Sequence, residues 1–305
     1  MENDELIGVP SEEHLKDIEK FRQKNAIKDL KTLSNKITDL NDEFKKHLPE
    51  KQDAFTFEIK DNKPIAIVPL ADLHLGATGV QYEKLLKDLD IITSTDGMYS
   101  VCIGDWLNNF IFGKLINAGW GDVRPKFQWV LCELVIQALS KTLIQINQGN
   151  HELWSSKACD VDEFASIAKR ANVCYSSNKK YGKVTVKFND LDYTGVFRHK
   201  PIGSSRINPM QGAKNIYRDL TAYDFCITAH THTFGIEHFV KHEQVRVAMN
   251  CGAYKTDDAF ADECGFPDAI PKMPVIILMP DKREMLTFEN IETAAEVLKS
   301  LRGGV

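Results

Sequence analysis

Five short pieces of this 305-residue chain carry side chains that bind metal ions: Asp72-Leu73-His74, Gly104-Asp105, Gly149-Asn150-His151-Glu152, His199 and His230-Thr231-His232. As ligands they offer Asp72, His74, Asp105, Asn150, His199, His230 and His232, with His151 to spare. That set suffices for two adjacent divalent cations sharing a carboxylate, a pair able to clamp a phosphate and make hydroxide from water at neutral pH. Asp72 and His74 lie two apart, so on an extended strand end both face one ion, and His230 and His232 repeat the spacing. Asp105 follows a glycine that permits close backbone approach, and its carboxylate can bridge two metals. Asn150 adds a neutral carbonyl oxygen. Hard oxygens mixed with imidazoles suit manganese first, with iron, zinc or magnesium as alternatives, and calcium poorly.

Singly, each piece is weak: a lone His is more often a surface or core residue than a ligand, and Gly-Asp is mostly a turn. The ordered set is specific, because it takes in five of the nine His of the chain. Three of its pieces also end expected parallel strands. Pro64–Leu70, Tyr99–Ile103 and Thr142–Asn147 read as buried strands, separated by helices over 81–93 and 125–141. Strand and helix in alternation indicate a parallel α/β sheet, whose sites collect beyond the carboxyl ends of the strands. A helix over 160–171 follows, then hairpin strands Lys183–Phe188 and Tyr193–Phe197 leading to His199. After a helix over 209–220, Phe225–Thr228 runs into His230. Antiparallel pairs 234–240 with 244–250 and 274–279 with 284–288, and a helix over 291–301, complete two partly mixed sheets with helices outside.

Residues 1–60 differ. Ser11 caps an expected helix start at Pro10-Ser11-Glu12-Glu13. From Leu15 to Leu48, apolar residues recur at mostly three- and four-residue steps along a long helix or helix pair, with Asn25 and Pro49 as interruption and end. The stripe either packs on the body of the chain or forms a homodimer. The expected division is a helical extension over 1–60 and a catalytic domain over 61–305.

A net charge of -5 and pI near 6.0 argue against a wholly basic nucleic-acid coat. Seven scattered Cys without a Cys-x-x-Cys suit free thiols in a reducing compartment. The acidic opening MENDELIGVP shows no secretory signal, and no apolar run approaches the roughly 20 residues that span a bilayer. These features point to a cytoplasmic protein with no membrane partner.

The ordered pieces resemble the calcineurin-like metallophosphoesterases, with their D-x-H, G-D, G-N-H-E, lone H and G-H-x-H motifs, over roughly residues 65–255. The resemblance implies an α/β fold, a four-layer αββα sandwich of two mixed β-sheets flanked by helices, here with an N-terminal helical extension. It implies one metal at Asp72, His74, Asp105 and His232, another at Asp105, Asn150, His199 and His230, and His151 as the non-ligand that assists the leaving oxygen. Two departures stand out: Ala229 replaces the usual glycine, and His199 comes in Arg198-His199-Lys200-Pro201. Protein phosphatases of the superfamily continue the second motif as GDxxDRG. This chain has Gly104-Asp105-Trp106-Leu107-Asn108-Asn109, without the arginine that grips a phosphomonoester.

Between 179 and 218 lie nine Lys/Arg against two Asp, a stretch that surrounds His199. A basic rim beside two metals would hold a polyanion, and nucleic acid is the usual one. Arg198 and Arg206 are candidate phosphate contacts, Asn108 a candidate substrate contact, and Trp106 the best candidate among the aromatic residues for stacking a base. The expectation is a phosphodiesterase acting on nucleic acid, by metal-hydroxide attack, in the manner of the repair exonucleases or the small phage and bacterial phosphoesterases. The alternatives are a phosphomonoesterase or small-nucleotide phosphodiesterase and, behind them, a catalytically silent scaffold.

Overall fold

The computed structural model describes residues 11–47, 54–112, 122–177, 181–203, 205, 208–219, 222–241, 243–257 and 269–303. The chain divides into two compact units, Met1–Glu50 and Lys51–Val305. In the first, α1 (Glu12–His47) is one uninterrupted helix of 36 residues. Ser11 caps it, its hydroxyl accepting the His14 N–H at 3.3 Å. The break expected at Asn25 does not occur, because one asparagine weakens a helix by less than about 1 kcal/mol. Pro49 lies outside the described residues.

The second unit opens with a strand that the sequence reading passed over. β1 (Ala54–Glu58) pairs in parallel with β6 (Gly182–Lys187). Residues 54–58 therefore belong to a sheet and not to the helical segment, whose unit ends at Glu50.

The other strands are β2 (Ile65–Leu70), β3 (Met98–Ile103), β4 (Leu143–Asn147), β5 (Cys174–Ser176), β7 (Asp192–Arg198), β8 (Phe225–Thr228), β9 (Gly235–Lys241), β10 (Gln244–Asn250), β11 (Val275–Leu278) and β12 (Met285–Phe288). They form two six-stranded mixed sheets, in the orders β12-β11-β2-β3-β4-β5 and β1-β6-β7-β8-β10-β9. In the first, β2 through β5 are parallel. In the second, β7, β8 and β10 run parallel. β2 and β4 are buried at every residue, as strands covered on both faces must be.

One continuous core joins the sheets. Val184, Tyr193, Phe197, Phe225 and Val247 of one pack in the same cluster as Ile67, Val101 and Ile146 of the other. Helices α2 (Tyr82–Ser94) and α7 (Ile291–Leu301) cover the first sheet. Helix α6 (Gln211–Asp219) covers the second over a smaller cluster of Val196, Ala213, Ile216 and Cys226. The order helix, sheet, sheet, helix is the expected four-layer sandwich.

The remaining helices are α3 (Pro125–Ala138), α4 (Asn150–Cys159) and α5 (Glu163–Arg170). α4 starts inside the third motif piece and is absent from the sequence reading. Within the described residues, no helix is long and apolar enough to cross a membrane.

Candidate metal centre

Six strands of the two sheets deliver their carboxyl ends to one place. β2, β3 and β4 lead to Asp72–His74, Asp105 and Asn150–His151, while β7 and β8 lead to His199 and His230–His232. Backbone hydrogen bonds lace these ends together. Within the first sheet, Asp72 N–H donates to Gly104 O and His74 N–H to Asp105 O, both at 3.1 Å. Between the sheets, the His230 N–H reaches Asp72 Oδ2 at 3.0 Å. The sixth strand, β10, leads into residues 251–257, and Tyr254 N–H donates to Asp72 O at 3.0 Å.

The donors do not sit on extended strand ends as the spacing suggested. Asp72, His74, Asp105, His230 and His232 all have left-handed backbones, with φ between 47° and 75°. Asp72 and His74 thus share a face because both turn left, not because of strand pleat. Asp and His tolerate this region better than most residues, and such conformations persist where the surrounding structure enforces them. Ala229 has no positive φ, so replacing the usual glycine costs it nothing. Gly104, with φ 80°, does need its glycine: a Cβ there would lie 2.5 Å from Gly149 Cα and 2.9 Å from His199 Cγ.

Three groups of donor atoms converge, each within 4.8 Å: Asp72, His74 and His232; Asp105, His199 and His230; and His74, Asp105 and His151. The first holds three of the four residues expected for one metal, without Asp105, and the second holds three of the four expected for the other. Asn150 joins the second, its Oδ1 lying 3.1 Å from His199 Nε2.

Hydrogen bonds to the far side of each ring fix which nitrogen faces inward. His199 Nδ1–H donates to Ile103 O at 2.8 Å, leaving Nε2 at 2.8 Å from Asp105 Oδ2. His74 Nδ1–H donates to Asn108 Oδ1 at 3.0 Å, so its Nε2 presents a lone pair 3.2 Å from His232 Nε2. His151 Nδ1–H donates to Asn108 O, and its Nε2 lies 3.6 Å from Asp105 Oδ2.

These residues fit divalent ions. Asp72 Oδ1 is buried and accepts no hydrogen bond, yet His232 Nε2 stands 3.3 Å from it. Burial, with the rings of His151 and His232 close by, holds His74 well below its ordinary pKa, in the neutral form a metal requires. Burial opposes charge on Asp105 too, but His151 and His199 outweigh it and hold the carboxyl well below its usual range. Burial likewise works against a charged His199, and the Asp105 carboxylate overcomes it, lifting the ring to about 9.

Two buried residues hold the frame. Glu152 accepts the N–H groups of Asp105 and Leu107, each at 3.1 Å, and of Gly149 at 2.9 Å. Burial and the nearby Asp105 carboxylate push Glu152 up to about 7. Asn250 steadies the His230–His232 turn, donating to Thr231 Oγ1 at 2.8 Å and Thr233 O at 2.5 Å while accepting Thr228 Oγ1–H at 2.6 Å. Glu152 was visible only as the last letter of a motif, and Asn250 carried no signal.

Other expected contacts lie elsewhere. Asn108 is fully buried, its amide spanning His74 and Asp122. Asn109 is held by His151 O at 2.6 Å and Ser155 Oγ at 2.9 Å. Trp106 is fully buried, donating to Leu70 O at 2.8 Å and packing near Phe164, so it is core and not a stacking platform. The aromatic faces at the centre are Trp154 and Phe110, with ring centroids 4.1 and 5.3 Å from that of His151.

The basic stretch is partly spent within the fold. Arg198 lies over the Tyr181 ring and donates to Lys200 O at 2.9 Å, and Lys214 pairs with Glu237 at 2.8 Å. Arg206 lies outside the described residues.

Two mixed sheets with the motif pieces on their carboxyl edges are the arrangement that the resemblance to calcineurin-like metallophosphoesterases implies. No family model and no curated protein matches the chain. Among solved structures it is similar to a Vps29 single mutant from Entamoeba histolytica, at 13% identity over 73% of this chain and 99% of that one, with a TM-score of 0.40. It is also similar to the calcineurin-like phosphoesterase YfkN from Bacillus subtilis, at 12% identity over 78% and 95%, with a TM-score of 0.41. Vps29 from Chaetomium thermophilum shows 13% identity over 74% and 99%, with a TM-score of 0.34. Overlap this low leaves the reading of the centre to its own donors.

Proposed function

We propose that the chain is a metal-dependent phosphoesterase holding two divalent ions, manganese foremost, and that it cleaves phosphodiesters, with nucleic acid the favoured substrate. One observation carries this reading: two donor groups, Asp72/His74/His232 and Asp105/His199/His230, are linked by a third, His74/Asp105/His151, which takes one residue from each. When bound, the ions would neutralise charge on the phosphoryl oxygens and lower the pKa of water.

The chain's own residues do the rest. Asp105 belongs to the second group and to the one linking it with His74, and it binds the backbone of the next motif, its Oδ1 accepting His151 N–H at 2.9 Å. His151 has Nδ1–H committed to Asn108 O, so Nε2 is the atom turned to substrate. From there it holds or donates a proton at the leaving oxygen.

A diester is favoured over a monoester because the second motif supplies no free cation. Asn109, at the place of the missing arginine, and Asn108 beside it are consumed inside the fold. Trp154 and Phe110 flank His151 and offer π-faces to a large leaving group.

The test is hydrolysis of bis-p-nitrophenyl phosphate against p-nitrophenyl phosphate with manganese. Turnover of the diester, abolished by chelation and by His151→Ala with metal content unchanged, is the expected result. Preference for the monoester rejects the diesterase reading. No turnover of either by metal-loaded protein rejects the enzyme.

A further inference from the structure

A carboxylate outside the donor groups stands two hydrogen bonds behind His74. Asp122 is half-buried and opens the segment that leads into α3. Its Oδ2 accepts the side-chain N–H of Asn108, and its Oδ1 accepts Thr78 N–H at 3.0 Å. The backbone around it is tied on both sides. Val123 N–H donates to Gly76 O at 2.8 Å. Gln128, 2% exposed, donates Nε2–H to Val123 O and accepts Asn109 N–H, both at 2.7 Å. Residues 122–128 thus join the chain after the first motif piece to the chain after the second.

The direction of each bond from Asp122 to His74 is forced. An ionised carboxylate only accepts, so the Asn108 amide must turn its NH2 to Asp122. Its Oδ1 is then the atom facing His74, 3.0 Å from Nδ1. An amide oxygen also only accepts, so Nδ1 carries the ring proton and Nε2 keeps the lone pair that a metal takes. At both steps the reverse arrangement fills the same space: an amide rotated by half a turn, or an imidazole with its proton on the other nitrogen. Shape does not choose between them, and the charge of Asp122 does.

We infer that Asp122 is a positioning residue for the metal at Asp72, His74 and His232: through Asn108 it fixes which nitrogen of His74 holds the proton. The inference rests on the two-metal reading of the centre and adds to it a carboxylate that belongs to none of the three donor groups. Carboxylates commonly orient metal-binding imidazoles directly, and here an amide relays the effect.

The test is calorimetric titration of metal-free protein with manganese, reading both sites. Asp122→Asn keeps the shape and removes the charge. The new amide makes most bonds with its oxygen on Thr78 N–H and its NH2 on a reversed Asn108, which then donates to His74 Nδ1 and drives the ring proton to Nε2. The first site should weaken about 10- to 100-fold, the usual effect of disturbing the partner behind a ligand, and the second should bind as before. Asp122→Ala removes more atoms but forces no reversal, so it should do less harm. Asn108→Asp combined with Asp122→Asn exchanges the two groups, remakes every bond and should recover the affinity. A role confined to stability predicts the opposite order, with Ala worse than Asn and no recovery on exchange.

Nitrogen-15 spectra of the metal-free protein give a second readout. His74 should carry its proton on Nδ1 in wild type and on Nε2 in Asp122→Asn. Wild type with the proton on Nε2 overturns the inference without any variant. So does Asp122→Asn with wild-type constants, or Asp122→Ala that costs as much as Asp122→Asn. Wild-type protein that binds no divalent ion sinks the two-metal reading itself, whereas metal binding indifferent to Asp122 sinks this inference alone.

Discussion

The carboxylate of Glu152 accepts the backbone N–H of Asp105, a donor shared by two of the three clusters, at 3.1 Å. The same carboxylate also takes Leu107 N–H and Gly149 N–H, so one side chain fixes both the second and third motif pieces. Glu152→Ala leaves three buried donors without an acceptor. The expected loss is on the order of 3 kcal/mol in guanidinium denaturation of the metal-free protein. Metal content after dialysis should fall with it. A variant that is as stable and as well loaded as wild type would show that these bonds are incidental.

Asn108 is expected to govern one metal and not the other. Its Oδ1 is the acceptor that keeps the Nδ1 proton on His74. Without it the ring is free to turn or to change tautomer. Asn108→Ala should weaken binding at Asp72, His74 and His232 by about 10- to 100-fold, the usual effect of losing a bond behind a ligand. The His199 and His230 side should bind as before. A two-site metal titration reads both constants, and equal weakening of the two would reject the assignment.

Stability should respond to pH through Asp88, away from the metal donors. This buried carboxylate accepts Tyr254 O–H at 2.7 Å and pairs with Lys84 at 2.5 Å. Burial raises its pKa, and these two partners only partly reverse the effect. A raised acid favours the folded state most below the ordinary carboxylate value, and that advantage is lost as pH rises through the folded value. Asp88→Asn cannot titrate and still offers Tyr254 an oxygen. Wild type should therefore lose stability relative to Asp88→Asn as pH rises from about 4, where model carboxylates titrate, towards neutrality. A gap that stays constant across denaturation curves in that range would contradict the sign.

Of the two uses open to α1, packing on the body of the chain or pairing with a second copy, we propose the second. Taken by itself, the helix exposes Leu15, Phe21, Ile27, Leu30, Leu33, Ile37 and Leu40 over a length of about 38 Å. From Leu30 to Leu40 the apolar steps are three, four and three residues, the spacing of a two-helix seam. Sedimentation velocity should give a dimer that Leu30→Asp with Leu33→Asp turns into monomer. Wild-type protein that stays monomeric at high micromolar concentration would exclude this use of the helix.

The strands and the donors were legible for different reasons. β2, β3 and β4 are short apolar runs ended by polar motifs, and ions demand particular side chains at the ends of such runs. β1 was passed over although Phe55, Phe57 and Ile59 alternate with Thr56 and Glu58 as an edge strand should, because the run is short and follows a long helical pattern. α4 was missed because the residues Asn150–Cys159 carry no apolar stripe, and its start is set by motif geometry. Glu152, Asn108 and Asn250 bind largely backbone or neighbouring polar groups, contacts that leave no period in a sequence. Trp106 misled for the opposite reason, since adjacency to Asp105 along the chain does not put a side chain on the same side of the backbone.

The left-handed turns at Asp72, His74, Asp105, His230 and His232 set the chemistry of the centre against the comfort of its backbone. Each costs about 1 kcal/mol or more that glycine would not incur. Glycine at any of these positions relaxes the main chain while taking away a donor. A lineage or a design selected for robustness alone would drift towards a calmer, ion-free protein, and only selection for turnover would keep these five residues in place.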